Sequence, residues 1–184
     1  MGALLKNKKG ATVIILVLLL TILFPLIFST IIDFANISRI EKRLKSSLNL
    51  SVKSASSRIN WDHVPDGDFL IDEPVAEEIF INIFNENMRI NLEPYGEYYQ
   101  HTSPKGNVIK AYMDLYNERH EGSFTLFPEG GYIPTAITEH DLTIKVDRPT
   151  VIGIAVVEYK LSPILGGKTI DITGVASSQL NQLD

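Results

Sequence analysis

Residues 11 to 32, ATVIILVLLLTILFPLIFSTII, carry no charged side chain and follow directly on the basic stretch Lys6-Asn7-Lys8-Lys9-Gly10. Wound as an α-helix at about 1.5 Å per residue, the run reaches roughly 33 Å, close to the thickness of a bilayer's hydrocarbon core. The hydroxyls of Thr12, Thr21, Ser29 and Thr30 can return to the helix's own carbonyls. Pro25 is tolerable in such a span because neighbouring groups can satisfy the carbonyl it frees. The expectation is a transmembrane helix over 11–32 that fixes where the rest of the chain resides.

Two other readings of the segment fit less well. A cleaved secretory signal has an apolar core of only about 7–15 residues and ends at a small-residue site. Here the core is longer, and the approach to Ala35 carries Asp33 and Phe34. A buried helix of a soluble protein would be expected to show a polar face, and none interrupts this run. Lys6, Lys8 and Lys9 precede the segment, and Asp33, the first carboxylate of the chain, lies just beyond it. The positive-inside bias then keeps residues 1–10 in the cytoplasm as a basic leader and exports everything after residue 32. With those three lysines inside, 14 basic side chains face 22 acidic ones in the exported portion, a formal charge of −8. Such a surface is not one that binds nucleic acid.

About 150 residues remain beyond the apolar run, enough for one domain with a modest core. The chain has no cysteine, so it has no disulfide framework, thiolate metal site or thiol nucleophile. Packing must supply the stability.

Past residue 32 the helical period continues. Ile37, Ile40, Leu44, Leu48, Val52, Ala55 and Ile59 recur every three or four positions, charged residues occupy the other faces, and neither Gly nor Pro interrupts 26–64. One helix over about 11–60 is expected, with 33–60 as an amphipathic extension. Its stripe could pack on the chain's own domain or on neighbouring subunits, and both arrangements can hold along different turns. Trp61 to Glu73 contains Pro65, Gly67 and several aspartates and reads as a loop. A second helix is expected over 74–88, opened by Pro74 with Asp72 and Glu73 as cap and dipole partners, and lined by Val75, Ala76, Ile79, Phe80, Ile83 and Phe84.

From there the period changes to two. Pro94 to Gly106 reads as a tyrosine-bearing loop. Strands are expected around Ile109–Leu115, Phe124–Leu126 and Leu142–Val146, punctuated by Gly130, Gly131 and Pro134. Val151–Lys160 is dense in β-branched residues and reads as a central strand, Ser162–Gly167 as a loop, and Lys168–Val175 as a further strand. Residues 61–184 therefore form an exported α+β domain, a small antiparallel sheet packed on helical segments.

The basic leader ending in Lys9-Gly10, followed by an apolar helix that begins with small residues, resembles the class III signal of type IV pilins and pseudopilins. Gly10-Ala11-Thr12-Val13, the Asp33-Phe34 pair, and Arg43 and Leu44 with the small residues Ser54, Ala55 and Ser56 are similar to TadE/TadG-like proteins. These are pilin-like components of tight-adherence (Tad, Flp) pilus and secretion systems. The ending, with its Pro-Gly-Gly loop and the strand finishing in Gly174-Val175-Ala176-Ser177-Ser178, also resembles that family; the middle of the chain does not. The resemblance implies a processing site at Gly10 and Ala11, and a subunit-packing face of Ile37, Ile40, Leu44, Leu48 and Val52. It also implies partners: other pilin-like subunits, a prepilin peptidase and an inner-membrane platform protein, besides membrane lipid. One position departs from the pattern. Prepilin peptidase substrates usually carry a glutamate five residues after the cleaved glycine, where it is thought to pair with a neighbour's N-terminal amine; Ile15 stands there.

Catalytic constellations are missing from the sequence. His63, His101, His120 and His140 are far apart and form no HExxH-type pair, and in Glu139-His140-Asp141 adjacent side chains point to opposite sides. Asp62, Asp66 and Asp68 around Gly67 offer oxygen ligands without the alternating EF-hand spacing. No Gly-x-Ser-x-Gly elbow or phosphate loop occurs. Tyr95, Tyr98 and Tyr99 could form an adhesive surface or pack back on the domain. The expected function is a structural, membrane-anchored pilin-like component without cofactor or enzymatic activity; the alternative is a single-pass protein whose exported domain binds a ligand.

Overall fold

The computed structural model describes residues 8–66, 69–96, 98–118, 146 and 148–180. Helix α1 runs unbroken through Lys8–Ser56, 49 residues with Pro25 inside. Thr21 and Thr30 return their hydroxyls to the carbonyls of Val17 and Leu26, at 2.7 and 2.8 Å. Side chains 12–28 of α1 are all exposed, and it is a helix long and apolar enough to cross a membrane.

The helix ends four residues before the expected boundary at 60. Ser56 and Ser57 turn their hydroxyls back on the carbonyls of Lys53 and Ser54. The next residues are drawn into a bridge, with Ile59 opposite Ile71, the Asn60 amide on the Leu70 carbonyl and the Asp72 amide on the Arg58 carbonyl. Asn117 fastens this lasso from the sheet side: its side chain accepts from the Ile71 amide and donates to the Ile71 carbonyl, standing in for a strand's backbone. A short 3₁₀ turn, Val64–Asp66, lies within the lasso.

Helix α2, Glu73–Met88, opens where the sequence places it. The Asp72 carboxylate caps it by accepting from the Val75 amide at 3.4 Å, with Glu73 and Pro74 as its first two residues. It stops at Arg89, whose left-handed backbone (φ 55°) aims its amide at the carbonyls of Asn85 and Glu86. Ala76, Phe80, Ile81, Phe84 and Met88 are buried, whereas Val75 is exposed. α2 runs back antiparallel to α1, and the Arg43 guanidinium donates to the Asn87 carbonyl at its far end.

Five antiparallel strands follow in meander order: β1 (Glu93–Tyr95), β2 (Tyr98–Thr102), β3 (Val108–Tyr116), β4 (Thr150–Lys160) and β5 (Thr169–Gln179). The fold is α+β, as the change of period implies. The stretch read as a loop over Pro94–Gly106 is instead a hairpin. β1 has three residues and contains Pro94, which an edge strand tolerates because one side of it needs no partner. The expected strand over 168–175 extends to Gln179. The strand expected around Phe124 and Leu126, most of the one at Leu142–Val146, and the punctuation at Gly130, Gly131 and Pro134 lie outside the described residues; Val146 itself is fully buried.

β4 is an interior strand buried on both faces, as its unalternating Val151-Ile152-Gly153-Ile154-Ala155-Val156-Val157 run suggests. One face meets the helices, and it is shaped by two glycines. A Cβ on Gly153 would lie 2.6 Å from the Phe80 ring and 2.7 Å from a Val52 methyl; one on Gly174 would lie 2.8 Å from Leu48. On the helix side, Ser47, Ser51 and Ala55 repeat at four-residue spacing beside Leu44, Leu48 and Val52 and are equally buried. Small residues on α1 and on two strands allow the close approach. Ser56 and Ser178 tie the outer end of this contact through their hydroxyls at 2.8 Å.

Candidate functional site

Ser29, Asp33 and Asn36 stand at spacings of four and three on α1, one polar row on the face that further along becomes Ile40, Leu44 and Leu48. β4 runs back towards the apolar end of the helix and brings Tyr159 to this row. The 3₁₀ turn Pro163–Leu165 that follows, closed by left-handed Gly166, brings Ser162. Asp33 is only 5 % exposed, and both its oxygens are engaged: Oδ1 accepts from the Tyr159 hydroxyl at 3.0 Å and Oδ2 from the Ser162 amide at 2.9 Å. Asn36 Nδ2 donates to the Tyr159 oxygen at 3.3 Å, and the Ser29 and Ser162 hydroxyls bond to each other. Ser29 therefore does not return its hydroxyl to its own helix, because the β4–β5 loop offers a partner.

Burial, more than the hydrogen bonds, holds the Tyr159 phenol above its ordinary pKa; the Asp33 bond raises it further and the Asn36 bond opposes. Tyr159 stays a protonated donor to the carboxylate at physiological pH. A buried carboxylate satisfied by two remote donors, one at the end of β4 and one in the loop that follows it, is a lock between helix and sheet. Asp33→Ala should release that loop. Its expected signature is amide hydrogen exchange at Ser162 accelerated by roughly tenfold or more, with exchange in α2 unchanged.

Beside the lock an open cleft of about 590 Å³ is lined by Asp33, Asn36, Arg39, Lys105, Asn107 and Lys160, among others. Its far wall is the β2–β3 turn. Gly106 at φ 79° lets Ser103 and Asn107 close that turn, and the Asn107 side chain accepts from the Lys160 amide at 3.0 Å.

The residues singled out from the sequence fall in different places. The bond between Gly10 and Ala11 lies near the start of α1. Leu44, Leu48 and Val52 are no more than 1 % exposed, covered by the chain's own sheet and α2, while Ile37 and Ile40 are half-buried against the same core. The solvent side of that stretch instead presents Lys42, Lys45, Ser46, Asn49, Leu50 and Lys53. His63 is exposed, and His101 sets Nδ1 2.9 Å from the Asn91 carbonyl. His120, His140, Glu139, Asp141, Gly67 and Asp68 lie outside the described residues. No group of three or more potential metal ligands occurs among the described residues. Tyr99 packs back by donating to Glu77 at 2.9 Å, whereas Tyr95 stays exposed, its ring 5.4 Å from that of Tyr98. From the sequence Asp33 stood out as the first carboxylate after the apolar run and as half of the Asp33-Phe34 pair, not as a buried group; the polar row 29, 33, 36 was the signal that it faces inward.

No family model matches the chain, no curated protein does, and no solved structure does.

Proposed function

We propose that the protein is a structural, pilin-like membrane component of the TadE/TadG type, anchored by residues 11–32 with the N-terminus cytoplasmic and the α+β domain outside. The observation that carries this reading is the continuity of α1. One helix supplies a fully exposed apolar half and, without a break, the central element of the globular core. A bilayer, or the apolar halves of neighbouring copies, would cover the first half, since so much exposed apolar surface does not persist in water. The function is then packing and display, with other pilin-like subunits, a prepilin peptidase and a platform protein as the partners the resemblance implies.

Within that class an assembly component is favoured over a major filament subunit. Ile15 leaves the apolar run without a carboxylate, and Asp33, the nearest one, is spent on Tyr159 and Ser162 of its own chain. Neither can meet a neighbour's N-terminal amine. The same observation suits the second reading, a plain single-pass anchor carrying a ligand-binding domain.

Mass spectrometry of the native N-terminus separates the two. A chain beginning at Ala11 is the expected result, with the Gly10→Val variant accumulating at full length. An intact Met1 terminus in the native protein would rule out peptidase processing and leave the plain anchor.

A further inference from the structure

We infer that the cleft between α1, the β2–β3 turn and the end of β4 binds the phosphate of an anionic membrane lipid, a claim that rests on the anchored reading above. The cleft's position along α1 sets the ligand's source. If hydrocarbon ends near residue 32, Asn36 and Arg39 stand roughly 6–10 Å beyond it at the rise of a helix, which is headgroup depth. The neighbouring loop lies at the same height on the opposite side of the cleft: Ser162 bonds to Ser29, about one turn inside the apolar run, and Ile164 at the loop tip is exposed. Tyr159, with its ring in the core and its hydroxyl at the cleft, is the type of residue that sits at such a boundary.

Charge sets the ligand's sign. Arg39, Lys105 and Lys160 converge on this cleft, although the chain beyond residue 32 is strongly acidic. Among the described residues none of the three forms an ion pair; the ion pair recorded there joins Lys110 to Glu158. The opposing charge in the cleft is Asp33, and its two oxygens already accept from Tyr159 and Ser162. Three cations without an ion pair among the described residues, set against one satisfied carboxylate, favour an anion, and Asn36 and Asn107 add amide groups suited to phosphate oxygens. A guanidinium and two flexible ammonium groups at headgroup depth, on snorkelling stems, fit a lipid phosphodiester.

The test uses the full chain in nanodiscs of phosphatidylcholine with phosphatidylglycerol, released for native mass spectrometry. The expected result is phosphatidylglycerol retained over phosphatidylcholine by roughly tenfold or more, and the preference lost in the triple variant R39A/K105A/K160A. The control triple K42A/K45A/K53A removes equal charge from the solvent side of α1, roughly 15–30 Å beyond residue 32, and should keep the preference. Preference unchanged in R39A/K105A/K160A, or lost equally in the control, overturns the site. Inorganic phosphate at the lipid's concentration should not displace the adduct; displacement would make a soluble phosphate the ligand and overturn the lipid assignment. Alkaline carbonate extraction checks the anchor separately. A chain retained in membranes but without lipid preference removes this inference alone, whereas a chain released from them removes the anchored reading as well.

Discussion

Leu48→Ala is expected to destabilise the fold by about 3–5 kcal/mol, enough to take most or all of a small domain's stability, whereas Leu50→Ala should stay within about 0.5 kcal/mol. The two residues are two positions apart on α1, on nearly opposite sides of the helix, with the same side chain, yet Leu48 is fully buried and Leu50 is 46 % exposed. Leu48 is wedged over Gly174 of β5, where no Cβ is present to fill the space that its loss would open. The neighbouring glycine cannot collapse into the cavity, so the cost should lie towards the upper end of the range for a buried leucine. Chemical denaturation followed by tryptophan and tyrosine fluorescence measures both changes. The pair also addresses assembly. A packing face for other subunits formed by Leu44, Leu48 and Val52 would require those side chains to be accessible, and in this fold they hold the sheet. Unchanged stability in Leu48→Ala would exclude a helix–sheet contact through this side chain.

Gly153→Val carries the second large effect. Its Cβ would come within 2.6 Å of the Phe80 ring and 2.7 Å of Val52, distances that require neighbours on both helices to move together. Phe80 is itself fully buried and stacked on Phe84 with ring centroids 6.1 Å apart, so the ring cannot swing away freely. Overpacking of this kind costs about 1–3 kcal/mol and sometimes more, and the valine branches should put it at or above that upper value. The cost should be non-additive. In a Gly153→Ala background, Phe80→Leu should lose less than it does alone, because the smaller side chain yields the volume that the alanine methyl needs. A double-mutant cycle by thermal or chemical unfolding gives the coupling, and strict additivity would show that the glycine and the ring do not share space.

These expectations depend on contacts of very different legibility. Hydrophobic period is a local property. The helix through 37, 40, 44, 48 and 52, the second helix capped by Asp72, and the dense interior strand at 151–160 could therefore be read from residues within a few turns of one another. The end of α1 at Ser56 was not legible in this way, since the pattern carries Ile59 onward in register; the bridge from Ile59 to Ile71 competes with it and wins. The β1–β2 hairpin was hidden for another reason. Its strands are short, one contains Pro94, and Tyr98-Tyr99-Gln100-His101-Thr102 does not alternate, so the stretch has the composition of a loop. It pairs because β3 already presents an edge, with Tyr99 opposite Ala111 and His101 opposite Ile109.

The amino-acid order by itself determined the apolar helix, its basic flank, the switch from a period of 3.6 to a period of two, and hence the α+β class. Tertiary structure alone decided what Asp33 bonds to, because its donors, Tyr159 and Ser162, lie 126 and 129 residues away and leave no trace in any local window. It likewise decided which leucines are core and where three cations meet. Periodicity tells a side chain which way to face, but only the packed neighbour on that side determines what it touches.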